Sequence, residues 1–240
     1  MTPIYITCFN SPELCRNVIV KLTELGHANR HGIIISDQSD EPFQVVYRAL
    51  AVEFSCEYVH HENKGASGSK RSVLKHAQER GYAMIHQMSE DFLIGENHPS
   101  LASGVGSFLE DSEAILNLFR ELAFVKWNLH TSHNGDMSYM KRGTKWFGGL
   151  SIQAINGINL LFAVGAVQYS NWPATWRVDD VAKIWEVGDT WNPPSEEVAQ
   201  LVKSSGGEWA ASHCKGGKGA VLIANPMRHP ERVRPEGSLP

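Results

Sequence analysis

The chain of 240 residues is long enough for one large α/β domain with a sizeable core, or for two very small domains. Hydrophobic residues make up 42% of it, charged residues 20%, and the formal net charge is −4. That balance is globular and carries no signature of a dedicated nucleic-acid binder, though it leaves room for a local basic groove. The four cysteines, Cys8, Cys15, Cys56 and Cys214, form no C-x-x-C pair. Free thiols in a reducing, cytoplasmic compartment are therefore expected. No stretch approaches the roughly 20 apolar residues that span a bilayer, and no signal peptide is visible.

The first half alternates strand and helix signals. Ile4 to Thr7 is a short β-rich run. Ser11 offers an N-cap, Pro12 the first helical position and Glu13 a first-turn acid. Leu14, Val18, Leu22 and Leu25 follow at helical spacing, and Gly26 can stop the helix. Gly32 to Ser36 reads as a strand buried on both faces. Pro42 to Phe54 predicts a second helix, and Tyr58 and Val59 a third strand. The loop Asn63 to Ser69 leads into a helix from about Ser69 to Arg80, and Tyr82 to Met88 predicts a fourth strand. This alternation implies an α/β fold with a mostly parallel central sheet flanked by helices. Ligands of such sheets bind beyond the carboxyl ends of the strands. The second half is less regular. Leu109 to Trp127 mixes both signals, and Ser151 to Val164 reads as a buried helix. Asp179 can cap a helix through Trp185, Ser195 can cap another, and the proline-bearing tail after Ala224 reads as irregular.

Three features at predicted strand ends can carry chemistry. Asp91, in Ser89-Glu90-Asp91, either holds a divalent cation that neutralises a diphosphate or caps a turn. Asp37 either accepts from a base N–H or ribose hydroxyl or forms an Asx-turn. The segment Asn63-Lys64-Gly65-Ala66-Ser67-Gly68-Ser69-Lys70-Arg71 lets backbone approach a ligand and sets two cations at a helix start, without the spacing of a Walker loop.

In this order the three features resemble the nucleotide-binding half of GT-A glycosyltransferases, especially inverting family 2. The matching stretches are Ile4 to Leu14, Ile33 to Ser39, Asn63 to Arg71 and Met88 to Asp91. The resemblance implies one Rossmann-like domain over 1–240. Residues 1–95 would be its nucleotide-sugar half, 96–224 its acceptor half and 225–240 a tail. It implies that Thr7, Asn10 and Asp37 line the nucleotide pocket and that Arg71 sits near the diphosphate or base; Lys70 and Glu90 are counted with them as donor-side residues. Asp91 would bind Mn²⁺ or Mg²⁺. Ser89 stands where relatives often carry a further acid, so one donor-side carboxylate is missing. Trp146 to Ser151 looks like the glycine-rich acceptor-side segment. Asp179-Asp180 looks like the paired-acid element, with Asp180 preferred over Asp179 as general base and helix capping as the plainer role. His213 is a candidate further metal ligand or a surface histidine. Trp172, Trp176, Trp185 and Trp191 could stack on a sugar or base or pack in the core, and His130, His133 and Asp136 fall in an expected exposed loop.

The implied activity is metal-dependent transfer of a sugar from a nucleotide-diphosphate donor, by default a UDP-sugar, to an acceptor hydroxyl with inversion. The acceptor could be a glycan, a lipid-linked sugar, a protein or a modified nucleic-acid base. A sugar-phosphate nucleotidyltransferase is the alternative on the same fold, but Cys8-Phe9-Asn10-Ser11-Pro12 replaces the glycine-rich loop expected after its first strand. A non-catalytic nucleotide-sugar or nucleic-acid binding module is the third reading.

Overall fold

The computed structural model describes residues 1–94, 108–120, 122–129, 150–155, 158–165, 173–185 and 218–228, the strands at 150–155, 158–165 and 218–228 by backbone alone. Strand β1 is Ile4–Cys8, followed by helices α1 (Pro12–Glu24) and α2 (His27–Arg30). Then come β2 (Ile33–Asp37), α3 (Glu41–Glu53), β3 (Glu57–His60), α4 (Gly65–Glu79) and β4 (Met84–Ser89). The remainder contributes β5 (Leu93–Ile94), α5 (Phe108–Leu118), β6 (Leu122–Leu129), β7 (Leu150–Ile155), β8 (Ile158–Gly165), β9 (Ala174–Arg177), α6 (Val178–Trp185) and β10 (Lys218–Arg228).

All the described strands join one sheet in the order β3-β2-β1-β4-β9-β6-β10-β8-β7, with β5 pairing β10. The first four are parallel, as their alternation with helices requires. Beyond β4 the sheet is mixed. Strand β9 enters antiparallel between β4 and β6, β10 runs parallel to β6, and β7 and β8 close the edge antiparallel.

Strand alternation assigns the two faces of the sheet. Ile4, Ile6, Cys8, Ile33, Ile35 and Met88 pack with Cys15, Val18, Ile19 and Leu22 of α1 and with Phe108, Ile115 and Leu116 of α5. Tyr5, Ile34 and Ile85 pack on the other face with Val73, Leu74 and Ala77 of α4 and Val181 of α6. The α1 residues stand at positions i, i+3, i+4 and i+7, which puts one helical stripe on the sheet. Trp127 is fully buried against Phe108, its ring centroid 5.0 Å away, and donates its indole N–H to the Ser112 hydroxyl at 2.9 Å. Trp127→Ala is expected to lower stability by about 3–5 kcal/mol in urea unfolding, through the cavity it leaves.

Two expectations fail in the second half. Ser151 to Val164 is no helix: it falls in the β7–β8 pair, where Ile155 faces Ile158. Asn156-Gly157 stands between them, the dipeptide favoured in two-residue hairpins, and the flanking Ile, Leu, Phe and Val suit a pleated surface. The tail is not irregular from Ala224, because β10 runs to Arg228. Its register against β6 shifts between Leu222 and Met227, around Pro226, where a missing N–H costs the ladder least. Cys8, Cys15 and Cys56 are free thiols. Among the described residues no helix is long and apolar enough to cross a membrane.

Candidate active site at the strand ends

The carboxyl ends of β1, β2 and β4 form one edge. In register, Thr7 lies beside Ser36 of β2 and Ser89 of β4, and Cys8 lies beside Asp37. Asp37 and the Glu90-Asp91 turn therefore flank β1 on opposite sides, two inter-strand spacings or about 10 Å apart.

Thr7 is the centre of the floor. Its side chain points to the α4 face, as alternation from Tyr5 demands. Its hydroxyl accepts from Lys70 Nζ and from Gln87 Nε2, each at 3.4 Å, and lies 3.0 Å from the Ser89 hydroxyl. Lys70 is 3% exposed. Burial pulls its ammonium down to about 7, against the opposing pull of the nearby Asp91 carboxylate. Asp91 is half-buried. The site thus pairs one buried cation with one carboxylate at a strand terminus. Arg71, the next residue, is also half-buried. The glycines beside them are needed for space: Gly65 has φ +71°, and a Cβ on Gly68 would overlap the Cβ of Lys64.

Glu90 has a different job from Asp91. One oxygen accepts the Phe9 backbone N–H at 2.7 Å and the other accepts the Tyr47 hydroxyl. Burial raises its carboxyl to about 7, against the lowering by these hydrogen bonds. It braces the β1–α1 turn from beneath. Asp37 is also internal. Its oxygens accept the Ser39 N–H and the Tyr58 hydroxyl, each at 2.8 Å, and the residue has no exposed surface. This is the Asx-turn geometry, and the direct base contact expected from sequence has no open face to use. Asn10 sits at φ +54°, donates its N–H to Ser39 Oγ at 2.8 Å and exchanges side-chain bonds with Asp40. The turns after β1 and β2 are thereby laced into one wall.

Asp179 and Asp180 do not reach this edge. Strand β9 runs antiparallel to β4, so Gln87 faces Ala174 and Met84 faces Arg177. The helix that follows starts at the opposite, amino-terminal edge, where Val178 N–H bonds to Ala83 O. Asp179 is exposed and accepts from Gln78 Nε2 near the end of α4, at 3.2 Å. Asp180 is buried close to Arg177, where its charge opposes the lowering that burial imposes on the guanidinium. Both occupy the first turn of α6, where acids complement the helix dipole. About 17 Å of β4 separates them from Asp91, too far for a base acting at the same reaction centre. Trp176 is fully buried in the core, so it is no stacking platform. His213, Trp172, Trp191, His130, His133 and Asp136 lie outside the described residues, as does most of Trp146 to Ser151.

A cavity of about 400 Å³ opens on the outer flank of β3 and α4, lined by His60, His61, Lys64, Lys75 and His76 among others, and includes neither Asp37 nor Asp91. Sequence reasoning did not find the Tyr47, Tyr58 and Gln87 contacts. Tyr47 and Tyr58 lack a motif, whereas Gln87 could have been found as a polar residue two positions from Ser89 on a buried strand.

No family model and no curated protein sequence matches the chain. Solved structures share its fold. A glucosyl-3-phosphoglycerate synthase from Mycobacterium tuberculosis, in complex with phosphoglyceric acid, aligns over 98% of this chain and 73% of its own, at 10% identity and TM-score 0.54. A mannosyltransferase from Pyrobaculum calidifontis, in complex with GDP-Man and Mn²⁺, aligns over 94% of this chain and 54% of its own, at 12% identity and TM-score 0.55. A Thermus thermophilus protein described as a mannose-1-phosphate geranyltransferase aligns over 95% and 75%, at 10% identity and TM-score 0.52. The fold of this chain is that of nucleotide-diphospho-sugar transferases.

Proposed function

We propose that the chain is a metal-dependent glycosyltransferase that moves a sugar from a nucleotide-diphosphate donor, by default a UDP-sugar, to an acceptor hydroxyl. The observation that carries this reading is the convergence of Lys70 and Asp91 beside Thr7 at the carboxyl ends of β1 and β4. A buried ammonium is costly unless an anion uses it, and a diphosphate is such an anion.

The residues fit a hard divalent ion of the Mg²⁺ or Mn²⁺ kind. Such ions need only one or two protein carboxylates when substrate phosphates complete the shell, and Asp91 supplies one. When bound, such an ion would neutralise charge on the departing diphosphate, and Asp91 would hold it on the protein side. Lys70, 3% exposed, would act on the diphosphate through its charge, and Thr7, itself bonded to the Ser89 hydroxyl, fixes its position. Asp37 and Glu90 keep the two turns in place. Asp180→Asn is expected to lower stability by about 1–3 kcal/mol, from a disturbed buried charge near Arg177, with donor turnover nearly unchanged. Inversion needs a base on the acceptor hydroxyl, and Asp179 and Asp180 are not offered for it. The nucleotidyltransferase alternative is disfavoured by the β1–α1 turn, which is pinned by Ser39, Tyr47 and Glu90 rather than left open as a phosphate loop.

A thermal-shift and hydrolysis screen of nucleotide sugars with and without Mn²⁺ tests the proposal. One donor should stabilise the protein, and be slowly hydrolysed, only with the metal. Equal shifts with and without metal for every donor would overturn it.

A further inference from the structure

The opposite edge of the sheet carries a second cluster with no part in the reading above. His27-Ala28-Asn29-Arg30-His31 places two histidines four residues apart, on one face of α2 and its C-cap. Glu110, in the first turn of α5, lies against both. Its Oε1 is 3.5 Å from His27 Nδ1 and 3.3 Å from His31 Nε2. His27 is fully buried and His31 is 5% exposed.

Potential ligand atoms converge here. His31 Nδ1 lies 3.0 Å from the Thr2 carbonyl and its Nε2 lies 3.3 Å from Glu110 Oε1, so Nε2 is the nitrogen turned to the cluster. His27 Nδ1 lies 3.5 Å from the same carboxylate oxygen and 3.4 Å from an Arg30 nitrogen, so it too is turned to the cluster. Two buried atoms are left without hydrogen bonds, Glu110 Oε2 and His27 Nε2. An orphaned polar atom is costly, and of the two Glu110 Oε2 is the one an ion at this cluster would reach.

We propose that His27, His31 and Glu110 bind one zinc ion that fastens α2 to α5 at the amino-terminal edge of the sheet. The geometry suits the ion. Zinc–nitrogen and zinc–oxygen bonds of about 2.0–2.2 Å give a tetrahedron with edges of about 3.4 Å, and the two contacts to Glu110 Oε1 measure 3.3 and 3.5 Å. All three ligand atoms lie within 4.8 Å of one another. Glu110 Oε2 or a water takes the fourth position. The bond from His31 Nδ1 to Thr2 O is the outer contact that orients a ligating imidazole. Imidazole with one carboxylate suits zinc rather than calcium or magnesium. The neighbouring trio His31, His86 and Glu113 shares His31, and its His86 is held between Thr175 Oγ1 and Glu113, at 2.9 Å each. Arg30 Nη1 lies 2.8 Å from Glu110 Oε1 and supplies a competing charge; its guanidinium also donates to Leu25 O and Gly26 O, and a bound ion has to displace it from Glu110.

The test uses the full chain, stripped with chelator and titrated with Co²⁺ as a spectroscopic probe. One equivalent should bind with the visible absorption of tetrahedral cobalt, and Zn²⁺ should displace it. Zn²⁺ should raise the Tm of the stripped protein by several degrees. His27→Gln and Glu110→Gln should weaken Co²⁺ by about 100-fold. Arg30→Ala removes the competing cation without touching a ligand and should tighten Co²⁺ binding. Absence of the tetrahedral band in the wild-type chain overturns the proposal, whether or not the ligand variants fold. So does a band that survives in a folded Glu110→Gln protein, or that is unaffected by Arg30→Ala.

Discussion

Asp91→Asn is expected to cut donor turnover by about 10²–10³-fold while leaving the Tm nearly unchanged. The substitution keeps the shape of the turn after β4 but removes the charge that would meet the proposed divalent ion. Neighbouring Glu90 cannot take over, because both its oxygens are held by Phe9 and Tyr47 beneath the turn. The dependence on Mn²⁺ should weaken in parallel, with half-saturation moving to higher metal concentration. Steady-state hydrolysis of the donor across a Mn²⁺ titration reads both effects. Turnover within a few-fold of wild type would remove Asp91 from the proposed mechanism.

Lys70→Met should weaken donor binding by about 100-fold and yet produce a more heat-resistant protein. Burial holds the Lys70 ammonium down to about 7, which against an ordinary lysine corresponds to roughly 5 kcal/mol between its two protonation states. A methionine of similar length fills the space without that cost, and Gln87 still donates to Thr7. Calorimetric Kd and Tm measured together separate the roles. A lower Tm with unchanged Kd would make Lys70 a structural residue only.

The parallel half of the fold was legible because each of its signals is local. Strand runs, the Ser11-Pro12-Glu13 start and the glycine stops act within a few residues. The mixed half depends on pairings between distant segments. Asn156-Gly157 was the local clue to the β7–β8 hairpin, and a run of apolar residues around it reads equally well as a buried helix. The acids show the same limit. Ser89-Glu90-Asp91 could be placed at a strand end, but which carboxylate turns inward is decided by Tyr47, 43 positions away. Asp179-Asp180 opens a helix as expected, yet the edge of the sheet on which that helix begins is set by the direction of β9, which no residue in the pair encodes. The His27–His31 spacing was visible in the sequence; its meaning came only with Glu110.

Strand β9 also sets the order in which the molecule can be made. Thr175 arrives 89 residues after His86, the β4 residue beside it. Until then a chain emerging from the ribosome holds β4 with one flank bare, an open template for pairing with a neighbour. Maturation is therefore paced by a late insertion, and truncation before residue 173 should give a product that clumps rather than a smaller folded protein.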